Sequence, residues 1–370
     1  MKYFRSKTNK MDRIFLGILT LILSIYIAVL IGNRFRDTDF PVFYSAARVI
    51  NEKNISNTEI YDIDLISKFT IPEETTSVAY IYSMAAAYIL SPLGLMPYWA
   101  AKATMIFLNI ILYSLSIYIV LKLEGAQGRY LAWTMGLLFL WPPNIDNLCF
   151  GQINGILLFL ITLAALAATK NHPYWSGIML GIASLFKIFP LVVAMVFGLK
   201  NWRIILACLA VLVLSFIVPG SFEWIPAIQN IYVGAYSQMY LYLKQFSIIW
   251  FVMYSAIIAG ITAFTVFCTK TCDYIVYTVL AIPAIFLAIP MVEYYHFTLL
   301  GFTYAYLVIN AKKLPRTVVI ASVSNILTIM LSRSVRVTFP QLISLLLLWG
   351  TLVLWLWNNK RNDIAQKFPL

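Results

Sequence analysis

The chain has 370 residues, 61% of them hydrophobic and only 11% charged, with 27 Lys and Arg against 15 Asp and Glu for a net charge of +12. A soluble domain is about half apolar and about a quarter charged, so a soluble globular enzyme, a disordered chain, a collagen-like chain and a disulfide-rich secreted protein are excluded. At roughly 20 residues per crossing helix, the apolar share predicts an all-α polytopic membrane protein, a bundle of about 12 transmembrane helices within a range of about 10 to 13.

The N-terminal tail, residues 1–13, carries Lys2, Arg5, Lys7, Lys10 and Arg13. The apolar run 14–32 that follows reads as an uncleaved signal anchor, because it is long enough to span and no Ala-x-Ala site comes after it. With the tail inside, residues 33–78 form a long first outer loop. Later spans are expected at 79–96, 99–121, 130–145, 150–169, 176–199, 203–219, 246–267, 274–291, 295–310, 316–332 and 341–357. They return the C-terminal tail, 358–370 with Lys360, Arg361 and Lys367, to the inside, beside turns carrying Lys200, Arg203, Lys312, Lys313 and Arg316. This is the positive-inside pattern, and membrane lipid rather than nucleic acid accounts for the positive charge. A second outer segment, 220–245, is rich in aromatic and amide side chains. Loops this long are uncommon unless they carry function. No internal repeat divides the chain, so residues 1–370 are expected to form a single integral-membrane domain.

Two places leave this topology open. The run 130–145 ends in Trp141-Pro142-Pro143, and 176–199 carries Lys187 and Pro190 near its centre. A broken or re-entrant helix is tolerated at depth where it lines a cavity. Unbroken spans put Gly151-Gln152-Ile153-Asn154 on the inner side; a break at either place turns it outward.

Four stretches carry candidate chemistry. Arg36-Asp37-Thr38-Asp39-Phe40 follows the first span. Its acids read either as a solvated loop or as acid/base groups whose place is fixed by the adjoining span. Asp-x-Asp is also a metal–nucleotide pattern, but three letters are weak evidence, and no sugar nucleotide is expected outside the cell. The segment 41–50 after it is predicted as a short amphipathic helix lying on the membrane. Gln152 and Asn154, flanked by Gly151 and Gly155, open an apolar helix and serve either as its cap or as ligand-facing amides. Lys187 in mid-span costs roughly 2.5–3.5 kcal/mol on insertion scales; it is either a cation for an anionic head group or half of a structural pair. His296, in Glu293-Tyr294-Tyr295-His296-Phe297, is either an interfacial histidine or a phosphate- or hydroxyl-orienting group. Cys149, Cys208, Cys268 and Cys272 lack zinc-site spacing and read as unpaired thiols.

In order and spacing these stretches resemble glycosyltransferase family 87, of the GT-C superfamily of polyprenyl-phosphate-sugar-dependent transferases. Asp39-Phe40-Pro41-Val42-Phe43-Tyr44-Ser45-Ala46-Ala47 is similar to the family's first-loop stretch, and Gly151-Gln152-Ile153-Asn154 to its Gly-Gln-x-Asn. Lys187 to Pro190 matches Lys-x-x-Pro, and Glu293 to Phe297 the late Glu-x-His-Tyr-like stretch. Two departures stand out: Tyr82-Ser83-Met84 replaces Tyr-Pro-Pro, and Ile289-Pro290-Met291-Val292 replaces a Ser-Pro stretch with Trp.

The resemblance implies a GT-C-type bundle in the plasma membrane with its active site outside. It implies transfer of a hexose, mannose or similar, from a polyprenyl-phosphate-linked donor to a glycan or glycolipid acceptor, with inversion. Asp39 is then the base, with Asp37 the second choice. His296 and Lys187 hold the phosphate, and Gln152, Asn154 and Glu293 orient groups. No general acid is required, because the leaving group is already anionic, and the resemblance implies no cofactor or metal. A lipid-linked substrate transporter or flippase, and a polysaccharide polymerase or ligase, are the alternative functions.

Overall fold

The computed structural model describes residues 39–52, 56–69, 80–223, 238–269, 273–290, 292–332 and 337–367. The expected first span, Asp37, Cys272 and part of the second outer segment lie outside these residues. The regular elements described are helices, in the order α1 (Phe40–Asn51), α2 (Ile63–Phe69), α3 (Met84–Gly94), α4 (Tyr98–Leu123), α5 (Gly128–Phe139), α6 (Pro142–Cys149), α7 (Asn154–Thr169) and α8 (Pro173–Phe186). There follow α9 (Phe189–Gly198), α10 (Trp202–Ser215), α11 (Gln238–Phe246), α12 (Ile248–Cys268), α13 (Tyr274–Ala288), α14 (Leu300–Asn310), α15 (Arg316–Leu331) and α16 (Phe339–Lys367). Single 3-10 turns occupy Asn57–Tyr61, Ser221–Glu223 and Tyr294–Leu299. Among the described residues, three helices are long and apolar enough to cross a membrane: α4, α12 and the first twenty residues of α16. Several others are apolar but shorter.

Two expected spans are corrected by the course of the chain. The run 79–96 does not traverse the bundle. Its helix, α3, has 11 residues, about 16 Å at 1.5 Å per residue. Ser83 caps its start and donates to the Leu185 carbonyl at 2.7 Å. At its other end, Met96 accepts from Tyr44 at 2.9 Å, and Tyr98 packs on Phe40 with ring centroids 5.4 Å apart. Phe40 N–H in turn bonds the Phe150 carbonyl at 3.0 Å. Both ends of α3 therefore stay at one end of the bundle, the end that holds Lys187, Gln152 and His296.

The second correction is at 176–199, which is a hairpin of two helices. A Cβ on Gly177 would meet Ile204 O and Ala207, and one on Gly181 would meet Cys208 O and Val211, so α8 and α10 advance in the same sense. Helix α9 must return between them. Its antiparallel packing on α13 agrees: Phe189 sits on Phe286 and Phe197 on Tyr274. The cause is Pro190. It has no N–H to offer the Phe186 carbonyl four residues back and its ring crowds that carbonyl, so α8 ends at Phe186 and α9 begins with the proline in its first turn. Lys187 occupies the extended tip at φ −147°, ψ 146°.

These two corrections reverse the sense of every segment between them. Gly151–Asn154 lies at the site end and not at the inner side that unbroken spans gave it. The turns near Glu124, Lys170 and Lys200 lie at the far end, where Asn310 donates to Glu124 at 2.8 Å. A third correction concerns α1. It is helical as expected, but its residues from Phe40 to Ala47 and Val49 are buried against the protein, so it is an internal roof over the site and not a raft on the lipid. Cys149, Cys208 and Cys268 are free thiols.

The α8–α10 packing depends on glycine. Gly177 Cα stands so close to α10 that an added Cβ would lie 2.2 Å from the Ile204 backbone oxygen, an obstacle that cannot rotate away. Gly177→Ala is expected to lower stability by about 1–3 kcal/mol, read by reversible unfolding in mixed micelles. Unchanged stability would contradict the parallel packing.

Candidate active site

The site is assembled from four stretches that are far apart in sequence. Lys187 supplies the centre. Its Nζ donates to Gln152 Oε1 at 3.0 Å and to Asn154 Oδ1 at 3.1 Å, and lies 2.9 Å from His296 Nε2. It also stands over the Tyr295 ring, 5.2 Å from the centroid.

Each partner is held by local structure. Helix α6 ends at Cys149, and Gly151 just beyond it, with a φ of +65° open to glycine, turns the chain into α7. Gln152 and Asn154 are buried at that turn. Asn154 N–H donates to Asn147 Oδ1 at 3.2 Å, and Asn154 Nδ2 to the Tyr295 carbonyl at 3.2 Å. Gln152 Nε2 reaches Tyr295 OH at 3.3 Å. Gly155 N–H is taken by Asn109 Oδ1 of α4 at 3.0 Å.

His296 is fixed in the 3-10 turn by a reciprocal cap. Glu293 N–H donates to His296 Nδ1 at 2.9 Å, and the Glu293 carboxylate accepts from the His296 backbone. The ring is packed edge-on by Phe189 and Tyr295, with centroids at 5.1 and 4.6 Å. The turn is itself tied to α6 and its lead-in: Trp141 Nε1 donates to Phe297 O at 3.1 Å, and Thr298 to Pro143 O at 2.9 Å.

Asp39 is the N-cap of α1, and its side chain does not cap that helix. Pro41 in the first turn and the Phe40–Phe150 bond set its backbone. Its carboxylate acts electrostatically on Glu293, Lys187 and Tyr82. Tyr82 in turn hydrogen-bonds Gln152 and feels both acids. One cluster therefore holds two carboxyls, a lysine, a histidine, two amides and two phenols.

Burial, and then the neighbouring Asp39, push the Glu293 carboxyl up from its ordinary value to about 7; Lys187 offsets part of this. The folded state then binds more protons than the unfolded one between about pH 4.5 and 7, so stability falls as pH rises through that window. Glu293→Gln removes the effect. Unfolding at pH 5 and pH 7.5 is expected to show the wild type losing ground to the variant on going up; a constant difference would contradict the raised value.

Among the residues singled out from sequence, Gln152, Asn154, Lys187, Glu293 and His296 meet directly, and Asp39 stands close by. Sequence reading missed Tyr82, Tyr295 and Asn147. Tyr82 opens a stretch that departs from the family pattern, yet it keeps that pattern's tyrosine. Asn147 belongs to Asn144-Ile145-Asp146-Asn147, a polar run in an apolar chain, and three of those four side chains are buried polar ones. That density was the available signal.

A model of glycosyltransferase family 87 matches residues 80–332, about two thirds of the chain. Among curated proteins, the chain is similar to the alpha-(1->3)-arabinofuranosyltransferase of Corynebacterium glutamicum, with 27% identity over 198 residues that cover 50% of this chain and 44% of that protein. The matched stretch thus spans less than half the length of that relative. With a family match over most of the described bundle, including the Gly-Gln-x-Asn turn, the lysine hairpin tip and the histidine turn, the chain belongs to glycosyltransferase family 87.

Proposed function

We propose that the protein moves a sugar from a polyprenyl-phosphate-linked donor to a hydroxyl of a glycan or glycolipid acceptor, in one displacement that inverts the anomeric centre. The observation that carries this reading is the convergence of Asp39, Gln152, Asn154, Lys187, Glu293 and His296 at one end of an apolar bundle. A phosphate leaving group needs no general acid. It needs positive charge and hydrogen-bond donors where its own charge develops; Lys187 and His296 offer these, and the two amide oxygens orient Lys187. The acceptor hydroxyl needs a base, and Asp39 is the choice; Asp37, outside the described residues, is the second candidate.

The bundle also offers a place for a lipid tail. A cavity of about 220 Å³ opens between α9, α12 and α13, lined among others by Val192, Val196, Ala259, Ala263, Ala284 and Ile289. Its lining runs from Ile289, at the end of α13 four residues before Glu293, to Leu199 at the far end of α9. Small alanines make its floor smooth, as a hydrocarbon chain requires.

Orientation follows from charge. Lys122, Lys170, Lys200, Arg203, Lys312, Lys313 and Arg316 fall at the far end, and the positive-inside bias supports a cytoplasmic position for that end. The site then faces outside the plasma membrane. Ionisable groups gathered toward one end of the bundle favour an enzyme over a transporter or flippase.

The expected donor sugar is a hexose by family resemblance; the relative's name adds arabinofuranose. The test is transfer by purified protein from a panel of polyprenyl-phosphate monosaccharides that includes mannose and arabinofuranose. Transfer from any of them supports the reading. Failure with all, together with activity on a lipid-linked oligosaccharide, replaces it with a polymerase or ligase.

A further inference from the structure

The hydrogens around Lys187 can be counted. Asn154 Nδ2 donates to the Tyr295 carbonyl, which only accepts, so the amide is pinned with Oδ1 toward Nζ. Nζ must therefore donate to it at 3.1 Å. On the other side, His296 Nδ1 receives the Glu293 backbone N–H. Nδ1 thus carries a lone pair, and the ring proton sits on Nε2, 2.9 Å from Nζ. An ammonium group has three donors and no acceptor, so it would face the Nε2–H donor to donor. An amine has two N–H groups and one lone pair. It donates to Gln152 Oε1 and Asn154 Oδ1, accepts from His296 Nε2–H, and every group is satisfied.

We infer that this arrangement holds Lys187 as an uncharged amine, which takes one proton from solvent when an anionic phosphate group displaces His296 from it. In that step the Nε2–H···Nζ hydrogen bond breaks, the Nζ lone pair binds the proton, and the third N–H turns to a phosphate oxygen. The ionisable groups facing Nζ are Asp39 beside α1 and Glu293, Tyr295 and His296 around the 3-10 turn, with Tyr82 before α3 reaching the same cluster through Gln152. The two carboxyls and the Tyr295 face then receive the new cation. The charged lysine is made on demand, so the site does not carry a standing cation that would hold a stray anion. The phosphate half of this inference rests on the proposed donor; the uncharged amine does not.

The test has two arms. Reversible unfolding in mixed micelles is compared for wild type and Lys187→Met from pH 7 to 9.5, with Lys187→Gln as a second variant should the first not fold. In the unfolded chain the lysine titrates near about 10.4. A lysine uncharged when folded makes the unfolded state the more protonated one, so stability rises with pH. The unfolding constant of the wild type relative to the variant is expected to fall roughly tenfold per pH unit. A pH-independent ratio overturns the inference. In the second arm, calorimetry of wild-type protein with farnesyl phosphate at pH 7.5, in buffers of different ionisation enthalpy, is expected to show about one proton taken up per phosphate bound. Binding without uptake overturns the coupling. No binding overturns the coupling together with the donor reading, while the unfolding arm still decides the resting charge.

Discussion

Asp39→Asn is expected to lower transfer by about 10²–10⁴-fold and to leave the protein folded. Asparagine is as good an N-cap as aspartate, and the native side chain makes no capping bond to lose. The substitution keeps size and polarity and removes the ability to accept a proton, together with the negative charge that acts on Glu293 and Lys187. The neighbouring Glu293 is a poor substitute base: its carboxyl accepts from the His296 backbone and serves as the cap of that turn. Initial rates and thermal unfolding on the same preparation check the point. A variant with wild-type rate would remove Asp39 from the base role; one that misfolds would show that the carboxylate is structural.

Gly151→Ala is expected to cost at least about tenfold in rate through geometry alone, since small misplacements of a reacting group cost up to about 10²-fold. Gly151 has φ +65°, and an added Cβ would stand 2.5 Å from the Phe40 Cβ. That atom is attached directly to the backbone, so the start of α1 must move, and Asp39 moves with it. Backbone strain adds about 1–2 kcal/mol. Gly125→Ala separates the two effects. Gly125 has φ +83° but nothing within 4 Å of its Cβ position, and it lies at the far end of the bundle. It is expected to lose comparable stability and keep its rate. Equal loss of rate in both variants would show that strain, and not the displacement of Asp39, is responsible.

Much of this was legible in the chain. Composition demanded an all-helical membrane bundle, and polar residues in apolar surroundings marked Gln152, Asn154, Lys187, Glu293 and His296. The topology between residues 79 and 199 was not legible, for a definite reason. Hydropathy measures apolar length and not direction. The run 79–96 is apolar enough to span, yet α3 turns back because Ser83 and Met96 are both anchored at the site end. The run 176–199 has the length of one span, yet Pro190 divides it into two short helices. One span too many and one too few leave the chain ends where an unbroken reading puts them, so the basic tails could not expose the error. The same break decides what Lys187 is. Read as a mid-span charge it is an expense; at the tip of a hairpin it is the hub of the site. Tyr295 was not legible because it acts partly through its backbone: its carbonyl sets the Asn154 amide, and side-chain type carries no signal of that.

The most direct measurement is a cryo-electron microscopy map of the purified protein with a polyprenyl phosphate bound. The expected density places the phosphate between Lys187 and His296, with Asp39 facing the side an acceptor would enter and the tail running down the α9–α12–α13 cavity. A phosphate bound elsewhere in the bundle, with the Lys187–His296 contact unbroken, would contradict the assignment of this cluster as the catalytic centre.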